Sequence, residues 1–501
     1  MPLYALVLWL GCGPEEAPLP PPATDADTDT DSDSDTDADV DTDGGSDTDS
    51  GTDTGTDTDT EPPATFSLPE STDLSALTWT EAFEALHLKI VAEYAYSAHK
   101  TLDLTAIHDL VAAEMLIAET ADDPNLYYAA LRHYVFAIPD GQASLSGNDH
   151  GVIDDYIEGS YGLQLVTLDD GRTIVTAVAP DSLAEDAGLA PGTEIVAWNS
   201  LPIADALAAV DVRWGERPAA TLSDLASLQH RLLVRGPDGA TATVTFINPV
   251  FSLSTVDLDA TDDNGLGLSL STPWPVLAPD QVIAIEPLSP TTATLRINYV
   301  AALLEGEVRD AFIQLDDLDA DGLVLDLRGC DGVNHASGAE MISPLFEVGT
   351  FFETQLFMNL VTGTLEHDVD NPDDTIEIPI PVQTWKGPVV VLVNSGTVGP
   401  CELMATAVAA LPNTAVVGFD NTHGSPGLPG GSAFLPEGLI VSWPIGAPAA
   451  VDDQLVLAPE QDGIGGVPLT HPIPRDEARA IDQMAGVDVE MVYASEILLD
   501  L

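Results

Sequence analysis

Three stretches of this 501-residue sequence carry side chains able to do covalent chemistry. Val393-Asn-Ser-Gly-Thr-Val-Gly-Pro-Cys-Glu402 runs from an apolar segment toward a helix-like one, so Ser395 or Cys401 could stand at a strand-to-helix turn with Glu402 beside it. Asp326-Leu-Arg-Gly-Cys-Asp-Gly-Val333 is a tight loop in which Gly329 and Gly332 leave amides available around Cys330. Asn421-Thr-His-Gly-Ser425 places an imidazole, His423, in a third loop, and His335 is a second loop imidazole. A nucleophile on such a turn, a base within reach and amides facing a developing oxyanion are the parts of an acyl-transfer site. A lysine base is hard to place. The chain has three lysines; Lys89 and Lys100 lie in a helical region, and Lys386 precedes a strand.

These loops need a scaffold, and the apolar pattern supplies one. Continuous β-branched runs at 294–300, 322–327, 388–393 and 414–418 alternate with helical segments reaching Phe312 and spanning 336–346 and 401–410. That alternation predicts an α/β core at 275–475, a largely parallel sheet with covering helices, followed by a C-terminal tail at 476–501. Residues 155–250 change period into short strands at 162–166, 173–178, 194–198 and 242–246, with a brief helix at 181–187. Residues 67–149 form a helical N-terminal module. Its apolar positions, such as Phe83, Leu86 and Ile90 or Tyr127, Leu131 and Val135, recur at helical spacing, and Asp122-Asp123-Pro124 and Pro139-Asp140-Gly141 end the helices. His87, His99, His108 and His133 scatter over helix faces and read as ordinary surface or core residues.

The charge balance narrows the partners. There are 83 acidic against 14 basic residues, a net of −69. Eighteen acids and no base fall within residues 1–61, so the remainder still carries 65 acids and 14 bases, a net of −51. Such a field repels phosphates, which excludes nucleic acid and basic-patch binding to anionic lipid. The opening run Met1-Pro-Leu-Tyr-Ala-Leu-Val-Leu-Trp-Leu-Gly-Cys12 is too short to span a bilayer and resembles a lipoprotein signal peptide, 1–12, with Cys12 as the lipidated residue. Membrane contact is then through the anchor alone. Residues 13–66, an Asp/Thr/Ser/Pro-rich stretch, read as a disordered tether. Two calcium-loop look-alikes within the chain fail, because the twelfth position holds Ser50 after Asp39 and Arg328 after Asp317. No cofactor and no metal site is expected.

Val178-Ala-Pro-Asp-Ser-Leu-Ala-Glu-Asp-Ala-Gly-Leu-Ala-Pro-Gly-Thr-Glu-Ile-Val196 resembles the strand, helix and Gly-Asp-x-Ile pattern of PDZ domains. The resemblance implies that Gly162, Leu163, Gln164 and Leu165 form the loop and edge strand that accept a peptide C-terminus by strand addition. The three loops of the core resemble the motifs of the tail-specific, or C-terminal processing, serine proteases, the family that includes the tricorn core protease. Asp326–Val333 stands for the family's Asp-Leu-Arg-x-Asn-x-Gly-Gly, Val393–Glu402 for Val-Asn-x-x-Thr-Ala-Ser-Ala-Ser-Glu, and Pro139-Asp-Gly-Gln-Ala-Ser-Leu145 for Gly-Asp-Gly-His-Thr-Ser. Gln461-Asp-Gly-Ile-Gly-Gly-Val-Pro-Leu469 resembles the family's closing segment.

The resemblance implies a peptidase scaffold and also what is missing from it. Gly399 stands at the nucleophile position, with Cys401 at the family's second serine and Glu402 at its acidic position. Ser425 takes the place of the lysine base, and Gln142 that of the alternative histidine base. Val333 replaces the second glycine of the oxyanion-type loop Gly329–Cys330–Gly332, where positive φ would suit glycine. By resemblance the loops of Cys330 and Cys401 face each other, leaving a disulfide, two unpaired thiols or a metal site with His335 or His423 as alternatives. The expectation is an exported, lipid-anchored protein of the bacterial cell envelope that binds extended peptides or protein C-terminal tails without hydrolysis. The alternative is an active peptidase using Cys401 or Ser395 with a histidine base.

Overall fold

The computed structural model describes residues 66–501 apart from 101, 248–251, 264–280, 302–304, 319, 369–373 and 458–464. Cys12, the Asp-rich stretch and its calcium-loop look-alike lie outside the described residues, as does the first part of the closing segment.

Helices Trp79–Glu93, Leu104–Ala121 and Pro124–Phe136 form where the three- and four-residue apolar spacing requires them. Thr78 and Glu81 close a reciprocal capping box on the first helix, a device that stabilises a helix start by about 1 kcal/mol. The Asp122-Asp123-Pro124 turn works as its residue types dictate. Asp122 is left-handed at one helix end, Asp123 caps the next helix, and Pro124 opens it. His87 bonds Tyr134, and His108 and His133 bond Glu84 and Glu114.

Residues 159–262 hold an antiparallel sheet in the order Leu253–Asp259, Thr241–Ile247, Glu194–Trp198, Thr173–Val178, Leu163–Thr167, with its own apolar core. Strand Leu163–Thr167 is the sheet edge, and helix Leu222–Leu233 packs beside it.

The third element is the α/β core. Its sheet runs Ile283–Pro287, Thr292–Ile297, Gly322–Asp326, Val389–Leu392, Thr414–Gly418, His471–Pro472, parallel throughout except for the first pair. Alternate residues serve opposite faces, which is why its strands read as unbroken apolar runs. Leu323, Leu325, Val389 and Val391 meet helices Glu305–Asp317, His335–Ile342 and Pro400–Ala409, while Val324, Val390 and Val417 meet Met491, Ala494 and Leu498 of helix Val489–Asp500.

A second, seven-stranded sheet was not foreseen from the sequence. It is centred on Leu428–Phe434, Ile440–Ala449 and Thr350–Asn359 and takes in Thr72–Asp73 and Ser144–Ser146 from the helical region. Its Val441, Trp443 and Ile445 share one core with Phe83, Ile90 and Tyr134. Residues 66–501 thus form one compact unit in which the segment after Pro139 is held against the α/β core. Among the described residues no helix is long and apolar enough to cross a membrane.

Candidate active-site cleft

The turn between strand Val389–Leu392 and helix Pro400–Ala409 is the centre of the site. Thr397 ties it down by donating its hydroxyl to the Leu327 carbonyl at 2.8 Å. Gly399 ends it with φ 62° and ψ −130°, a conformation that residues with a Cβ adopt only under strain. It is also the sharp bend on which a strand-to-helix nucleophile is presented. A Cβ built here would stand 2.9 Å from Gln142 Nε2 and 3.1 Å from the Gly332 carbonyl oxygen. The backbone therefore sets Gly399 beside Gln142, and neither glycine nor glutamine can exchange a proton usefully. Pro400 follows at the first helical position, where its fixed φ suits the helix but it has no N–H to offer an oxyanion.

The neighbouring loop amides are already committed. Gly329 N–H donates to Asn394 Oδ1 at 3.0 Å, Cys330 N–H to the Leu327 carbonyl at 3.0 Å, and Gly332 N–H to Asp331 Oδ1 at 2.7 Å. Val333 is exposed and keeps a negative φ, so the valine imposes no backbone strain; the loop's positive φ falls at Gly329. Cys330 and Cys401 form a disulfide, both buried, which fastens this loop to the helix start. Of the alternatives open from sequence, the disulfide is the one the fold adopts, and it leaves Cys401 no free thiol.

Glu402 is fully buried and accepts from the Thr422 hydroxyl at 2.6 Å and from the amides of Gly424, Ser425 and Gly399 at 2.7, 2.9 and 3.2 Å. Burial raises its pKa, opposed by these donors. They tie the helix start to the loop carrying His423 and Ser425. There an imidazole does reach a hydroxyl: His423 Nδ1 lies 2.9 Å from Ser425 Oγ. On its other side His423 Nε2 is 3.0 Å from Asp224 Oδ2 of helix Leu222–Leu233, close enough for charge attraction but not aligned as a hydrogen bond. The carboxylate, imidazole and hydroxyl thus stand in line, with His423 and Ser425 sealed from solvent and Ser425 Oγ also accepting Gly141 N–H at 2.8 Å. His335, the other loop imidazole, is buried against Glu353 at 2.9 Å.

The Gln142 segment has its own support. Asp140 accepts from the Tyr94 hydroxyl at 2.9 Å and the Gln142 amide at 3.0 Å, and pairs with Lys100 at 3.3 Å. Burial lowers the Lys100 pKa, opposed by Asp140. Lys100 thus braces the segment from beneath.

A cavity of about 690 Å³ joins the cleft to the edge strand. Gln164, Leu165 and Thr167 line one wall, Asp224 and His230 of the adjoining helix another, and Asn394, Ser395, Gly396 and His423 the core side. Gly162, at the head of the strand, has φ 75° and is pressed against Ser182. Gly399, Gln142, Gly332 and the disulfide meet at one point, Glu402 and Ser425 lie just behind it, and Gln164 and Leu165 face the cavity while Leu163 is buried beside it. Asp224 and Lys100 escaped sequence reasoning, because distant segments bring them in. Pro400 was legible as a missing amide directly after Gly399. Among the described residues no group of three His, Cys, Asp or Glu could hold a metal ion.

Comparison with known proteins agrees with this architecture. Residues 291–454 match the model of peptidase family S41. Crystal structures of mature CPAF, free and complexed with lactacystin, are each 13% identical in sequence, with TM-scores of 0.58 and 0.57. The alignments cover 84% and 85% of this chain and 98% and 99% of the other. A photosystem II D1 C-terminal processing protease aligns over 83% of this chain and 99% of its own at 16% identity, with a TM-score of 0.37. No curated protein matches the sequence. At these identities the likeness is one of fold.

Proposed function

We propose, from the peptidase family S41 domain that residues 291–454 carry, that this chain binds extended peptides or protein C-terminal tails without hydrolysing them. The observation that carries this reading is the Gly399-Pro400 turn. It keeps the bend of a nucleophile position while lacking the hydroxyl, the following amide and, in Gln142, the base. The cavity supports the binding half, because it is walled on one side by edge strand Leu163–Thr167 of a sheet of PDZ-like order and on the other by Asn394, Ser395 and Gly396, the residues that lead into this turn. Edge strands take an added peptide strand through main-chain bonds. Export with a lipid anchor on Cys12 rests on the opening apolar run, and the Cys330–Cys401 disulfide suits an oxidising compartment. The test is incubation of the purified protein with unfolded casein and with labelled peptides ending in a free carboxylate. Binding without turnover is expected; turnover by the native protein refutes it.

One observation favours a second reading, residual hydrolysis at Ser425. Its hydroxyl, His423 and Asp224 stand in the order of a charge-relay unit. Against it stand the burial of Ser425 and the commitment of the surrounding amides. A fluorophosphonate probe separates the two readings: labelling abolished by Ser425→Ala supports hydrolysis, and no labelling supports a binder.

A further inference from the structure

We infer, resting on the peptide-binding reading, that Asp331 is a built-in occupant of a carboxylate subsite formed by the Gly332 amide and Arg217, which a ligand's C-terminal carboxylate takes over by displacing it. Of the motif-loop amides, those of Gly329 and Cys330 are held by buried, fixed acceptors. Gly332 N–H is held differently, by a partly exposed side chain. Asp331 Oδ1 takes it at 2.7 Å, and Asp331 Oδ2 takes Arg217 Nη2 at 3.0 Å. An amide and a guanidinium sharing one carboxylate are the donors a terminal carboxylate requires.

Three further facts bear on how a ligand could reach this pair, which borders the cavity through Arg217. Arg217 lines the cavity. Gly332 adjoins Gly399, its carbonyl oxygen 3.1 Å from where a Cβ would stand. The backbone of Asp331 and Gly332 is fixed by parallel pairing with Tyr299 and Val300, so exchange of the acceptor needs only a side-chain rotation. The pair is also easier to open than the buried contacts of Arg328, the arginine of the motif loop. Arg217 and Asp331 are each 35% exposed, whereas Arg328 is 1% exposed and bonded to Asp326, Asp488 and Glu490. Exposed ion pairs of this kind contribute little to stability, so displacement costs little. A second carboxylate cannot share the subsite with Asp331, because like charges at that distance repel. Asp331 therefore sets the affinity as an internal competitor, and Arg217 gives the subsite its preference for a free carboxylate.

Fluorescence anisotropy on the full chain tests this with a labelled decapeptide ending in alanine as the free acid, and with the same peptide as its C-terminal amide. Asp331→Ala should bind the acid about tenfold or more tightly than the native protein, the gain of one charge-assisted hydrogen bond no longer contested, and should leave the amide unchanged. Asp331→Asn, which keeps the shape and removes the charge, should gain in the same direction. Adding Arg217→Ala to Asp331→Ala should erase the preference for the acid. An unchanged acid affinity in both Asp331 variants, or an equal gain for acid and amide, overturns the inference while native binding keeps the wider reading. If no form binds either peptide, both fall. If the native protein cleaves the peptide, the silent-binder reading falls, and the Asp331 variants still decide this inference through the acid-to-amide ratio of KM.

Discussion

Placing a serine at Gly399, the position that the motif resemblance sets for the nucleophile, is the most direct perturbation of the proposed site. Gly399→Ser puts a Cβ on a backbone at φ 62° and ψ −130°, which costs on the order of 1–3 kcal/mol. The new atom meets Gln142 Nε2 at 2.9 Å, the end of a side chain that can turn away, and the Gly332 carbonyl at 3.1 Å, which is backbone and yields less. A loss of about 2 kcal/mol is the expected sum, read as a lower urea midpoint at unchanged slope. The hydroxyl should still do no work. A missing oxyanion donor costs about 10²–10³ in rate and a missing general base about 10²–10⁴, so the single variant falls roughly 10⁴–10⁷ short of a working site. With labelled casein, Gly399→Ser should match the native protein. Gly399→Ser with Pro400→Ala and Gln142→His should be the first combination to show turnover or react with a fluorophosphonate. Hydrolysis by Gly399→Ser alone would refute the reasoning, because it would mean that a base and a donor already stand in the cleft.

Other outcomes follow from the same geometry. Replacing Cys330 and Cys401 by alanine opens a loop of sequence separation 71, which loop-closure entropy values at roughly 4 kcal/mol; denaturant unfolding with and without reductant should show that loss in the native protein and none in the variant. Glu402→Ala should cost more than about 3 kcal/mol, since it strands the Thr422 hydroxyl and three amides in the interior, whereas Glu402→Gln, which keeps one acceptor oxygen, should lose less in the same unfolding assay. Glu490 is pushed up to about 7 by burial, opposed by Arg328. The folded chain then holds a proton that the unfolded chain releases above about pH 4.5, so this stabilisation is full below that pH and lost as pH rises through 7. Thermal unfolding from pH 4.5 to 7.5 should show the decline, and Glu490→Gln should flatten it.

The amount legible in the sequence followed the range of the interactions. Helices at 79–93, 104–121 and 124–136 were readable because spacing and caps are local. The parallel core strands were readable because burial on both faces leaves unbroken apolar runs. The sheet around Ile440–Ala449 was not, because Pro429 and Pro444 break its strand signal and face each other across a shift of register. Its partners, such as Ser144 beside Ser442, are remote in sequence. In the site, the expectation of replaced catalytic groups at Gly399, Gln142 and Ser425 came from motif positions alone. The line from Asp224 through His423 to Ser425 could not be read that way, since it depends on how helix Leu222–Leu233 docks against the core.

Strand Thr72–Asp73 lies beside residues 433–434, and the Ser71 hydroxyl bonds that of Ser432, 361 positions later. Strand Thr72–Asp73 therefore finds no partner until some 361 further residues have been made. The apolar helix faces that pack on Val441 and Trp443 wait for the same interval, so the helical region completes its core late. Any truncation short of residue 449 should therefore yield insoluble material rather than a smaller soluble protein.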